Sequence, residues 1–316
     1  MTRVGLYLVF IAVFHLQGCS NQSEPTVRIA INPWPGYEFL YLAQEKGFFK
    51  AQNLNIELIQ MASLADVLRV YSHGRADGMA STMIEIVQAA GALQEPISLV
   101  LIPDYSNGGD TILAHTSIQH VSDLKGQNVG AELGSLGMYI LSLALEKHGL
   151  SLGDVNILNI EQLDAETAMV KGEIKSIVTY PPFSTAILKQ EGFHEIFNTA
   201  AIPRDVIDTV SIRTSKLNTL PKDWQDRFYQ AWDMALDYAK TQPEDAYAIM
   251  AKREGITPEE FADALTGLKL LNSTDSRDTI ASDQVKLNVL KVCNTLAHAK
   301  TINFECNDIQ SLVITE

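Results

Sequence analysis

A strand that runs into a helix through a proline- and glycine-rich loop, at Val27–Lys50, constrains the fold most. Apolar residues at 27, 29 and 31 alternate with others, as in a strand, and Pro33, Pro35 and Gly36 then end it. Beyond the loop the apolar spacing becomes that of an amphipathic helix. Ligands of open α/β sheets bind at the carboxyl ends of strands, near helix amino ends. The sequence therefore predicts a binding role for Trp34 and Tyr37; rim packing is the alternative.

The same strand–helix rhythm continues along the chain and predicts an α/β fold with two lobes, each a mostly parallel sheet flanked by helices. Further strands are predicted at 56–60, 78–80, 97–102, 111–114, 128–130, 155–160, 174–179 and 208–213. A helical C-terminal segment is predicted at 223–240, 243–254, 258–268 and 282–299. We expect the chain to divide into lobe 1 (27–110), lobe 2 (111–207) and a return to lobe 1 (208–316).

The amino-terminal residues predict export and lipid attachment. Arg3 precedes an apolar run, Val4–Leu16, which is typical of a secretory signal. The run ends in Leu-Gln-Gly-Cys19, which resembles a lipoprotein signal-peptidase site, with a larger Gln than is usual. We expect residues 1–18 to be a signal peptide, Cys19 to carry lipid and 19–26 to form a tether to the membrane. An uncleaved anchor or an ordinary secretory peptide is the alternative.

The charge of the chain bears on which partners it can bind, and its cysteines bear on the compartment in which it is found. The chain has 38 acidic and 24 basic residues, a net charge of −14, and it lacks a basic cluster, so nucleic acid is not an expected partner. Besides Cys19 there are two cysteines, Cys293 and Cys306. In an oxidising, extracytoplasmic compartment they are expected to form one disulfide, and two free thiols are the alternative.

Catalytic and metal-binding motifs are incomplete. Gly134-Ser-Leu-Gly137 has Leu133 where a nucleophile elbow needs glycine, and His194-Glu195 lacks the second histidine of a zincin. There is no Walker loop. We therefore expect a protein that is not an enzyme and that uses neither a cofactor nor a metal ion.

Polar and aromatic residues near predicted strand ends are the candidate ligand contacts. Ser81, Thr82 and Ser135 offer hydroxyls beside helix amino ends, where they are equally expected as helix caps. The other candidates form three groups: residues of a turn-prone stretch, two isolated acidic residues, and a tyrosine that precedes two prolines. These are Asp104, Ser106, Asn107 and Asp110, then Glu132 and Asp208, and lastly Tyr180. Turn formation, a surface position and turn packing are the respective alternatives.

Several segments resemble one protein family in the same order along the chain. The segments are Asn32-Pro-Trp-Pro-Gly-Tyr37, Leu42–Phe49, Ser106–Asp110, Asp123–Gly126, Glu132–Ser135, Thr179–Phe183, Trp232–Tyr238, Ala248–Ala251 and Pro258–Phe261. They resemble the solute-binding proteins for nitrate, sulfonate, taurine and thiamine-pyrimidine precursors, with Gly109 and Tyr180 where that family has Ala and Trp. The resemblance spans about Val27–Leu271 and implies the type II periplasmic-binding-protein fold and service to an ABC importer.

The resemblance gives a functional hypothesis. We expect a monomeric, lipid-anchored periplasmic receptor that closes on a small molecule and docks on an ABC permease. Docking on a membrane signalling receptor is the alternative, and an enzyme on this fold would need a base that the sequence does not reveal. Because the candidate loops lack Lys and Arg, the acidic and aromatic residues favour a ligand with an amine or aminopyrimidine-like part. A sulfonate or carboxylate at its other end, as in taurine, is compatible with the helix amino ends.

Overall fold

The computed structural model describes residues 24–315, which form two β-sheets flanked by helices. The strands of this range are β1 (Val27–Ile31), β2 (Ile56–Gln60), β3 (Gly78–Thr82), β4 (Ile97–Leu101), β5 (Asp104–Ser106), β6 (Thr111–His115), β7 (Asn128–Ala131), β8 (Asn156–Asn159), β9 (Ser176–Thr179), β10 (Phe193–Asn198), β11 (Asp208–Arg213), β12 (Leu268–Leu270) and β13 (Val313–Ile314). Its α-helices are α1 (Glu38–Glu45), α2 (Phe48–Ala51), α3 (Leu64–Ser72), α4 (Met83–Leu93), α5 (Leu136–Lys147), α6 (Ala165–Val170), α7 (Phe183–Leu188), α8 (Thr214–Leu217), α9 (Trp224–Thr241), α10 (Pro243–Glu254), α11 (Pro258–Leu265), α12 (Ser273–Ile280), α13 (Asp283–His298) and α14 (Ile309–Leu312).

The larger sheet has the strand order β13-β4-β11-β3-β1-β2, and the smaller has β10-β6-β9-β7-β8. Below, lobe 1 means the larger sheet with its helices, and lobe 2 means the smaller sheet with its helices. The chain leaves lobe 1 after β4, builds lobe 2 from β6 to β10 and returns with β11. A two-stranded ribbon of β5 and β12 lies apart from both sheets. This architecture confirms the predicted α/β fold class.

The strand directions differ from an uninterrupted parallel series. β1 is parallel to β2 and β3, but β11 lies antiparallel between β3 and β4. The carboxyl ends of β1 and β3 point toward lobe 2, so a strand that returns from lobe 2 enters at that end and runs the opposite way. The strand at 97–102, β4, therefore has the same direction as β1 and β3, as predicted, but β11 separates it from them. Four short or edge strands, β5, β10, β12 and β13, were not predicted.

The C-terminal helices fix the position of α1, and with it the loop that precedes α1. Helix α9 packs Trp232 against Phe39 of α1, with the ring centroids 5.8 Å apart in an edge-to-face contact. At the start of α1, the fully buried Glu38 forms an ion pair with Arg253 of α10. Glu254 is buried beside this pair. Burial raises the pKa of Glu38 to about 8 although the guanidinium opposes this shift.

A disulfide joins Cys293 of α13 to Cys306, as predicted. The predicted signal peptide and the lipid-attachment residue Cys19 lie outside the described residues. The last residues of the predicted tether contact lobe 1, since Glu24 pairs with Arg227 of α9 at 2.9 Å. Within residues 24–315, no helix combines the length and apolar character that crossing a bilayer requires.

Candidate functional site

A small, nearly filled cavity of about 10 Å³ lies between the two lobes, at the carboxyl ends of β1, β3 and β9. Residues from both lobes line it, and all nine are buried. The lining residues are Asn32, Trp34, Tyr37, Leu64, Thr82, Asp110, Leu136, Tyr180 and Asp208. Eight of these nine residues come from carboxyl ends of strands, from the loops that follow them or from helix amino ends, and Asp208 begins β11. This is the location that the α/β topology favours for a ligand.

The loop after β1 brings two aromatic rings to the cavity and attaches each to a carboxylate. The Trp34 indole N–H donates to Asp104 Oδ1 at 3.3 Å, and the Tyr37 hydroxyl donates to Asp208 Oδ1 at 2.5 Å. Gly36 lies between them, where an added Cβ would come 2.0 Å from Asp104 Oδ2. The glycine therefore allows the backbone to approach the carboxylate.

Tyr180 reaches the same cavity from lobe 2. Its ring meets Trp34 edge to face, with the centroids 6.0 Å apart. The Asn32 side-chain amide donates to the Tyr180 hydroxyl at 3.5 Å. The two rings thus form an aromatic corner to which both lobes contribute, and the Pro181–Pro182 peptide bond that follows Tyr180 is cis.

Besides Glu85, which is described below, four buried carboxyl groups surround the cavity or lie directly behind its lining: Asp104, Asp110, Glu132 and Asp208. Burial raises the pKa values of Asp104, Asp110 and Glu132 to about 7. Burial and then the charge of Asp104 raise the pKa of Asp208 well above its usual value. Each carboxyl has one buried oxygen without a hydrogen-bond partner among the described residues.

Basic side chains do not offset these acids, because the cavity lining within residues 24–315 contains neither Lys nor Arg. A buried polar oxygen without a partner is costly, so the oxygens of this cluster favour a hydrogen-bond donor or a cation. Nor do the described residues provide three or more His, Cys, Asp or Glu side chains arranged to hold a metal ion.

The candidate hydroxyls have unequal positions. Thr82 lines the cavity, but its hydroxyl accepts from the Ile84 N–H at 3.1 Å and so caps α4. Ser81 is fully buried beside it and donates weakly to the Thr82 carbonyl, at 3.4 Å. Ser106 exchanges a hydrogen bond with Thr199 at 2.7 Å and accepts from the Asp110 N–H. The hydroxyls of Thr82 and Ser106 thus accept hydrogen bonds from backbone N–H groups and fix the backbone around the site.

Comparison with known proteins identifies the family. A family model described as "NMT1/THI5 like" matches residues 34–246, about two thirds of the chain. The chain belongs to the NMT1/THI5-like family. The matched range contains every lining residue of the cavity except Asn32, which lies two positions before it.

Two relatives of this NMT1/THI5-like chain have names that mention thiamine biosynthesis or formylaminopyrimidine binding. A protein of Haemophilus influenzae named for thiamine biosynthesis is 23% identical over 220 residues, which is 67% of this chain and 68% of that protein. A formylaminopyrimidine-binding protein of Halalkalibacterium halodurans is 21% identical over 197 residues, 60% of this chain and 59% of its own.

The fold is shared with a solved binding protein. The alkanesulfonate-binding protein SsuA of Xanthomonas axonopodis pv. citri, bound to MOPS, superposes with a TM-score of 0.78 at 16% identity. The match covers 92% of this chain and 98% of that one. The likeness shows that this member of the NMT1/THI5-like family has the periplasmic-binding-protein fold.

Most residues singled out from the sequence converge on one region of this NMT1/THI5-like protein, with one exception. Asn107 is exposed, and its backbone N–H donates to the Gly267 carbonyl at 2.8 Å in the ribbon of β5 and β12. Asn107 therefore lies outside the cavity lining, and its ligand contact stays a prediction. Ser135 is buried at the amino end of α5, next to the lining residue Leu136.

The sequence reasoning missed Asn32 and the fully buried Glu85. Glu85 accepts hydrogen bonds from the Thr82 N–H and hydroxyl, at 3.0 and 2.5 Å, and from the Leu136 N–H at 3.0 Å. The pattern Thr82-x-x-Glu85 is that of a capping box and was a usable signal for the first two contacts. The contact with lobe 2 has no signal in the sequence, because 51 residues separate the partners.

Proposed function

We propose that this protein is the extracytoplasmic solute-binding component of an ABC importer and captures a small nitrogen compound with an amine or aminopyrimidine-like part. The observation that carries the proposal is the set of four buried carboxyl groups around one cavity that has no basic lining residue between positions 24 and 315. Amino groups and protonated ring nitrogens are donors that such oxygens can accept. The aromatic corner of Trp34 and Tyr180 suits a flat ring.

An anionic ligand is less well supported. Binding proteins hold anions at helix amino ends, with basic side chains or free backbone N–H groups. Here the Leu136 N–H at the start of α5 already donates to Glu85, and the Thr82 hydroxyl satisfies the Ile84 N–H of α4. Above pH 7, where Asp104, Asp110 and Glu132 are mostly ionised, these acids would also repel a sulfonate or nitrate. The name of the formylaminopyrimidine-binding relative supports the same ligand class.

We further propose that the two lobes comprise residues 27–110 with 208–316, and residues 111–207, and swing about the crossings near 110–114 and 205–211. Lobe closure on the ligand would create the surface that a permease recognises. Attachment through a lipid on Cys19, a periplasmic location, a monomeric state and the lack of enzymatic activity belong to the same proposal. Palmitate labelling of the wild type and of Cys19→Ala tests the anchor, and equal labelling would refute it.

Calorimetry with four solute classes tests the ligand proposal: aminopyrimidines, taurine, alkanesulfonates and nitrate. We expect an aminopyrimidine to bind most tightly. Asp208→Asn should weaken that binding at least about tenfold, because an amide NH₂ replaces one of the two acceptor oxygens and Tyr37 already donates to the other. Asp237→Asn, at an exposed position of α9, is the matched control and should leave the affinity unchanged. Nitrate or a sulfonate as the only binder, or equal affinities for the two variants, would contradict the proposal.

A further inference from the structure

Glu85 makes a contact between the lobes that ligand binding alone does not explain. It occupies the third position of α4 in lobe 1, where one oxygen, Oε2, completes the capping box with Thr82. The other oxygen, Oε1, accepts from the backbone N–H of Leu136 in lobe 2 at 3.0 Å. One side chain therefore satisfies the amino ends of two helices that belong to different lobes.

Helix α5 depends on this contact for its first turn. Its N-cap residue, Ser135, is buried, yet within the described range the Ser135 side chain makes no hydrogen bond to the helix. The first N–H of α5 finds its acceptor in Glu85 instead. A carboxylate at a helix amino end is favourable both as an acceptor and as a charge facing the helix dipole.

The same arrangement occurs a second time at the surface. Glu260 of α11 in lobe 1 completes a capping box with Thr257, whose N–H donates to Oε2 at 2.9 Å. Its other oxygen lies 2.6 Å from the ammonium of Lys189, which directly follows α7 in lobe 2. Both glutamates thus keep one oxygen for their own helix and offer the other to the opposite lobe.

We propose that Glu85 is a positioning residue that holds the lobes closed by capping α5 across the cleft, and that Glu260 assists through Lys189. This inference rests on the proposed lobe motion. When the lobes open, the hydrogen bond between the Leu136 N–H and Glu85 Oε1 would break, and water would bind to each group. The contacts of Glu85 within lobe 1 would persist. The residue therefore favours the closed arrangement without touching a ligand.

The test is Glu85→Gln, measured without any added solute. Glutamine also completes a capping box, so α4 keeps its cap. Its amide oxygen can accept from only one of the two backbone N–H groups at ideal geometry, and its amide nitrogen, a donor, then faces the other. We expect amide hydrogen exchange at Leu136 to rise about tenfold, as loss of a charge-assisted bond implies, together with a larger radius of gyration by X-ray scattering.

Asp123→Asn is the matched control, since Asp123 accepts backbone N–H groups of residues 119 and 120 within lobe 2. It should change neither readout. Unchanged exchange in Glu85→Gln would overturn the proposal, and so would faster exchange with an unchanged radius, which would indicate a purely local cap. Should Glu85→Gln fail to fold, Lys189→Gln at an exposed site supplies the test, with an expected increase in lobe opening of about 1.4- to fivefold. No increase in that variant would then overturn the proposal.

These outcomes are independent of the solute screen. If no aminopyrimidine binds but Glu85→Gln opens the lobes, the proposed ligand fails and the role of Glu85 stands. If an aminopyrimidine binds and Glu85→Gln leaves the lobes unchanged, the role of Glu85 fails and the proposed function stands.

Discussion

Asp110→Asn is expected to flatten the dependence of stability on pH between pH 5 and pH 8. Asp110 is 1% exposed, and burial raises its pKa from 3.8 to about 7. Between these two values the native protein binds more protons than the unfolded chain. The free energy of unfolding therefore falls as the pH rises through this window.

The magnitude follows from the two pKa values. Protonation of Asp110 contributes about 3 kcal/mol to the free energy of unfolding at pH 5 and almost nothing at pH 8. Asparagine has nearly the same shape but cannot titrate. From pH 5 to pH 8, the free energy of unfolding of the wild type should therefore fall by about 2–3 kcal/mol relative to that of Asp110→Asn.

Urea unfolding of the protein without solute, followed by tryptophan fluorescence at four pH values, measures this difference. Asp123→Asn is the control. Backbone hydrogen bonds hold the pKa of the exposed Asp123 below its usual value, so it stays ionised throughout the window and should add no slope. A difference between wild type and Asp110→Asn that is constant with pH would refute the argument that burial protonates this group.

Three further predictions concern stability. Replacing Cys293 and Cys306 by Ser should lower the free energy of unfolding by about 3 kcal/mol, the loop entropy for a separation of 13 residues, and a urea midpoint equal to that of wild type would contradict this. Gly36→Ala should cost about 1–3 kcal/mol because the new methyl group must displace the buried Asp104 carboxyl; calorimetric melting checks it, and an unchanged melting temperature would count against the packing argument. Arg253→Met should cost about 3–5 kcal/mol, since it leaves the buried Glu38 unpaired, and a thermal melt showing no loss would mean that Glu38 is already neutral.

The sequence predicted the main elements because their apolar periodicity is strong. The strand–loop–helix unit at Val27–Lys50, the return strand Asp208–Arg213 and helix α10 all occur where the pattern placed them. Strands of two or three residues, such as β12 and β13, carry no periodicity to detect. The antiparallel insertion of β11 depends on the path through lobe 2, which is a property of topology and not of local sequence.

The candidate site was predictable as a set of residue types at strand ends, but not as a network. Trp34, Tyr37 and Tyr180 lie at one cavity, whereas Asn107 in the same kind of polar turn faces solvent. Local sequence gives the turn but not the direction of each side chain. The sequence around Glu85 indicates a helix cap, but it does not indicate that the second oxygen of Glu85 contacts lobe 2. Contacts across long separations therefore had to come from the structure.

The two-residue strand β13 has a consequence for handling the chain. Val313 and Ile314 lie beside β4 and form the outermost strand of the larger sheet. Removing the last four residues would leave the backbone of Ile97 and Ser98, the β4 residues that pair with β13, open to strand addition from neighbouring molecules. Removal of the C-terminal residues is therefore expected to promote self-association at high protein concentration. A cleavable purification tag should not be placed where its removal takes away Val313 and Ile314.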